Sequence, residues 1–248
     1  MNKRLDFLDF LRGITLISMV LYHAAWDLQY MFGINIKGYE ELPGAIWQKS
    51  ICITFIALSG FVCFLGTDIK KTVKRGIIIS ICGLIVSFVT LAFIPENPIS
   101  FGILTFIGFA MIVFSISKKY LVKVNCFAGF FVCICLYILL RRVNWGVVGL
   151  GNFSFLMPPL FYKNQFTAFL GFPNAEFMSV DYFPVLPWLF IYGAGFYLCG
   201  ILNYFGITKR LTKPSNTFLN YIGKHTLPIY MVHQPLIYVI LYAWFYIR

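Results

Sequence analysis

Four ionisable side chains, Asp9, Arg12, His23 and Asp27, stand inside one apolar run, FLDFLRGITLISMVLYHAAWDLQYMF. A charge at mid-membrane costs about 3 kcal/mol or more, so such residues face a polar interior and mark a functional path. Arg12 and His23 are 11 positions apart, which on a helix is about three turns and about 16 Å on roughly one face. His23 and Asp27 are one turn apart, so the carboxylate can orient or charge the ring. Asp9 and Arg12, three apart, can pair. Imidazole titrates near neutrality and serves acyl transfer as a base or as a nucleophile that is itself acylated. The plainer reading is an anchor helix, with Arg12 snorkelling to one interface and Trp26 and Asp27 in the other. It leaves His23 hard to place.

Other polar residues sit in later apolar runs. His233 and Gln234 lie about 12 Å into the last one, and Pro235 after them frees a carbonyl one turn back. They either tie helices together or belong to a donor site. Asp181, ahead of the sixth run, either holds an acceptor or caps a helix. His225 reads as an interfacial residue.

The elements that must carry these groups are membrane spans. The chain has 248 residues, 60% hydrophobic and 12% charged, against about 25% charged for a soluble domain. Apolar runs place seven spans near residues 8–32, 46–66, 76–94, 100–117, 124–140, 184–204 and 227–247, an all-α polytopic bundle in one domain. The net charge of +11 is spread over short loops, which fits positive-inside topology better than a nucleic-acid surface. Basic residues at the N-terminus and after spans two, four and six put the N-terminus in the cytosol. Arg141 and Arg142 are the exception, falling on the outer side. The first run is too long and too charged for a cleavable signal peptide. The seven cysteines all fall in apolar runs without CxxC spacing and read as small core residues, with no metal site. The LSGF step at 58–61 offers small residues for close helix contact. No internal repeat supports an inverted-repeat transporter. Val143 to Phe183, rich in Gly, Pro, Asn and aromatics, is a long extracytoplasmic loop expected to fold back as a lid or re-entrant element.

Three stretches together carry a family resemblance: LDFLRGITLISMVLYHAAWDL (8–28), SVDYFPVLPWLFIYGAGFYLCG (179–200) and FLNYIGKHTLPIYMVHQPLI (218–237). In this order they resemble the catalytic domain of the heparan-α-glucosaminide N-acetyltransferase family, in its short prokaryotic branch. The first also resembles membrane acyltransferases with an Arg, ten residues, then His.

The resemblance implies a multi-span enzyme of a prokaryotic cytoplasmic membrane. It would take an acetyl group from cytosolic acetyl-CoA and give it to a glycan or lipid-linked acceptor on the far side, with an amino sugar one candidate. The family's histidine matches His23 and the arginine of the wider group matches Arg12. On this reading His23 and Asp27 are catalytic. Arg12, Lys3 and Arg4, with His233 and Gln234, serve acetyl-CoA, and Lys70, Lys71 and Lys209 stand behind them. Asp181 and Trp26 serve the acceptor. Membrane lipids are the other partners, and a homodimer is left open. The competing readings are a proton-coupled transporter or flippase, with His23 and Asp27 as relay, and a non-catalytic membrane scaffold.

Overall fold

The computed structural model describes residues 6–212 and 216–246. Among the described residues seven helices are long and apolar enough to cross a membrane. They are α1 (Asp6–Tyr30), α2 (Leu42–Leu65), α3 (Ile69–Phe93), α4 (Ile103–Leu121), α5 (Cys126–Leu140), α6 (Val185–Tyr204) and α8 (Thr226–Tyr246). The short α7 (Thr217–Lys224) precedes the last. The expected multi-pass helical membrane protein is therefore what the sequence forms.

One departure is at α3, which starts seven residues before the apolar run does. Asp68 caps it, its carboxylate accepting from the Lys71 N–H at 3.0 Å, and Lys70, Lys71, Lys74 and Arg75 ride its first turns. Hydropathy marks where lipid begins, whereas the cap marks where the helix begins. A second departure is a β-hairpin, β1 (Val147–Leu150) with β2 (Phe153–Leu156), in a chain expected to be all helical. Gly151, at φ 51°, supplies the positive φ that a two-residue hairpin loop requires.

The chain forms two compact units, Met1–Phe55 with Gly206–Arg248, and Ile56–Phe205. In the first, α7 lies along α1 at backbone distance. A Cβ on Gly13 would collide with the Leu219 carbonyl, and one on Gly223 with the Asp9 carbonyl. Small residues are what allow such an approach. Asn216 caps α7 through the Leu219 N–H at 3.1 Å. α8 also packs on α1. His23 meets His233, Asp27 meets Gln234 and Phe32 meets Tyr238 and Phe245, so α1 and α8 run parallel. The first and last of seven alternating spans must do so.

In the second unit α3 pairs with α4 and α5 with α6. Gly60 and Gly195 lie so near the carbonyls of Tyr192 and Ala57 that neither admits a Cβ, which is the close contact expected of the LSGF step. The α6 glycines 193 and 200 face Cys133, a small core residue as predicted, and Cys126, which is half-buried. Lys118 Nζ donates to the carbonyls of Cys63 (3.0 Å), Phe64 (2.5 Å) and Gly66 (2.5 Å), satisfying groups that the end of α2 would leave unpaired.

The segment between α5 and α6 holds the hairpin and 3-10 turns at Val143–Trp145, Pro159–Tyr162 and Phe166–Leu170. It packs on the chain between α3 and α4. Val180 N–H donates to Pro98 O (3.1 Å) and Phe183 N–H to Phe101 O (2.9 Å), while the Phe101 ring meets those of Phe169 and Phe177.

Candidate active site

α1 spans 25 residues, about 37 Å at 1.5 Å per residue, and carries polar groups at two levels. At its N-terminal end the predicted pair forms: Arg12 Nη1 donates to Asp9 Oδ1 at 2.8 Å, with Asp9 buried. Both residues make further contacts. Lys3 and Arg4, and the side chain of Lys209, lie outside the described residues.

The second level is three turns on. The His23 ring meets His233 edge-on, centroids 4.9 Å apart. His233 Nδ1 lies 2.5 Å from the Tyr230 carbonyl oxygen. A carbonyl can only accept, so Nδ1 bears the proton and Nε2 presents its lone pair. Asp27, 0% exposed, does not make the expected contact with His23. Its Oδ1 instead accepts from Gln234 Nε2 at 2.6 Å, because α8 brings an amide donor to the face where Asp27 is buried. Asp27 Oδ2, His233 Nε2 and Gln234 Oε1 are buried without a hydrogen-bond partner among the described residues. Most buried polar atoms are satisfied, so three such atoms on one helix pair point to work other than holding the fold.

Local structure presents this group. The loop after α1 folds back: Gln29 Oε1 accepts from the Ile36 N–H (2.7 Å) and Tyr39 OH reaches the Tyr22 carbonyl (3.3 Å). Burial drives the Tyr39 hydroxyl well above its ordinary pKa. Trp47 Nε1 donates to Ser18 Oγ at 2.8 Å and its ring stands edge-on to Tyr22. Tyr22, next in sequence to His23, is thereby held from both sides. A polar groove of about 490 Å³ opens beyond the end of α1, lined by Gln29, Asn35, Lys37, Glu40 and Glu41 among others.

His23, Asp27, His233 and Gln234 thus converge; the sequence reads the last two as tying helices together or serving the donor. What the sequence offered for their place was only the HQP step in the final span. Trp26 does not join them; its ring contact is with Tyr30, at 5.2 Å. Asp181 belongs to the second unit and makes the capping bond, for α4 and not for the span that follows it: its Oδ2 accepts from the Ile103 N–H at 3.2 Å. Burial pushes its carboxyl up to about 6, against the opposing pull of that N–H. His225 ends α7, its Nδ1 2.9 Å from the Tyr221 carbonyl.

The arrangement can accept a proton at an imidazole inside a spanning helix pair, beside a carboxylate fixed by an amide. No curated protein and no solved structure matches the chain. The family model described as "Heparan-alpha-glucosaminide N-acetyltransferase, catalytic" matches residues 4–235, a stretch that takes in both polar levels of α1 and both α8 partners, and the chain belongs to that family of membrane acetyltransferases.

Proposed function

We propose that the chain transfers an acetyl group from acetyl-CoA, entering from the cytosolic end of α1, to an acceptor reached from the other side of the membrane. The acceptor's nitrogen or oxygen attacks the thioester carbonyl, the C–S bond breaks, and the acceptor's proton ends on the departing thiol. His23 is the base that carries that proton. In a two-step variant its ring takes the acetyl group first. Asp27, fixed by Gln234, supplies the negative charge that favours a protonated ring nearby. Arg12, near the N-terminal end of α1, offers a cation for the phosphates of CoA, with Lys3 and Arg4 earlier in the sequence as further candidates. An amino sugar, free or lipid-linked, is the acceptor class that the family name suggests.

One observation carries this reading: two imidazoles in contact beside a buried carboxylate, within a membrane-spanning helix pair that leaves three polar atoms unpartnered. The test is transfer of radiolabelled acetyl from acetyl-CoA to glucosamine by the purified protein in vesicles. His23→Ala should abolish labelling while its helical circular dichroism stays that of the parent. Undiminished labelling in that variant removes the proposal.

A further inference from the structure

Between Val143 and Tyr162 the chain carries no charged residue, although this segment lies outside the spanning helices. In the hairpin Val148 stands opposite Phe155 and Leu150 opposite Phe153. Residues opposite one another, and residues two apart, share a face of an antiparallel pair. Val148, Leu150, Phe153 and Phe155 therefore form one wholly apolar face. Phe153 is 84% and Phe155 73% exposed. A patch of this kind facing water is unfavourable, and marks a surface that meets something apolar.

Continuity says what it meets. β1 packs on α5, a membrane span that lipid covers and that exposes Leu139 at the end nearer the hairpin. The hairpin follows directly past that end. The junction has the composition of a headgroup zone: Arg141 and Arg142, both exposed, then Trp145, 73% exposed. Tryptophan concentrates at that depth and guanidinium pairs bidentately with phosphate. The hairpin has two strands only, so the backbone groups along its outer edges need water or headgroups. That holds it at the interface and out of the hydrocarbon.

We propose that the β1–β2 hairpin is an interfacial membrane anchor. Its Val148–Phe155 face enters the headgroup–acyl boundary of the leaflet in which α5 ends, with Arg141 and Arg142 on lipid phosphates. Phosphate pairing also accounts for two cations on the side of the membrane where the alternation of basic loops expects none.

The full chain in vesicles of phosphatidylcholine and phosphatidylglycerol gives the test. A fluorophore is attached through a bio-orthogonal amino acid at position 153, at 155 or, as a control at the hairpin tip, at 152. Lipid bearing a doxyl group high on its acyl chain should quench the label at 153 and 155 several-fold more than at 152, and aqueous iodide should show the reverse order. Equal iodide quenching at all three positions overturns the anchor. So does shielding at 153 and 155 that vanishes when the protein is diluted with excess lipid, since a second copy would then be the cover.

Discussion

Two helix contacts in this protein are built on opposite plans. Where α2 crosses α6, Gly60 and Gly195 bring backbones together, and a Cβ on either would run into a carbonyl. Where α1 meets α8, the contact is lined by His23, Asp27, His233 and Gln234, and three of its polar atoms have no partner among the described residues. The glycine seam gains close packing from groups that can do no chemistry. The polar seam gives up packing and desolvates groups that can. One contact holds the fold and the other is placed at its expense, so substitutions in the two should fail in different ways.

The largest effect is expected in the glycine seam. Gly195→Leu has no space beside the Ala57 carbonyl, and size-exclusion chromatography should find no monodisperse protein. His23→Ala comes next, leaving a folded protein with transfer reduced by about 100- to 10,000-fold, the usual range for a general base. If instead His23→Ala also failed to fold, the division between the seams would be wrong. Asp27→Asn keeps an acceptor for Gln234 and removes the charge, so kcat should fall by about tenfold or more with the melting temperature little changed. Arg12→Ala should chiefly raise the KM for acetyl-CoA, and an unchanged KM would take Arg12 out of the donor site.

The smallest effect concerns Asp181 in the second unit. Its carboxyl is pushed up from 3.8 to about 6 by burial, so the folded state favours the neutral form. The stability this contributes is full below the ordinary carboxylate pKa and is lost as pH rises through about 6. Asp181→Asn retains an acceptor for the Ile103 N–H and cannot ionise. Between about pH 4 and about pH 7 the parent's melting temperature should fall by a few degrees relative to the variant's. Parallel curves would remove this carboxyl as a source of the loss of stability with rising pH.

The comparison also separates what the sequence makes legible from what it hides. Spans are read from apolar length, a local property, and all seven are found. Their ends are misjudged where a cap such as Asp68 starts a helix outside the apolar run. On α1, the Asp9–Arg12 pair is legible because both residues lie on one helix turn. The partner of Asp27 is not, because Gln234 is 207 positions away and only the docking of α8 on α1 brings it near. The spacing rule that linked His23 to Asp27 gave the right helix face and the wrong hydrogen bond. Asp181 is read from sequence as an acceptor ligand or a helix cap, and the helix it caps is hidden from sequence because the chain folds back to present it to α4.

That separation of 207 positions between Asp27 and Gln234 bears on how the protein is made. Membrane chains are threaded into the bilayer as they leave the ribosome, so α1 must sit in lipid with Asp27 and His23 unmatched until the final helix arrives. A chain made only as far as α6 holds one half of the polar group. If the proposed function holds, transfer has to wait until α8 has joined α1.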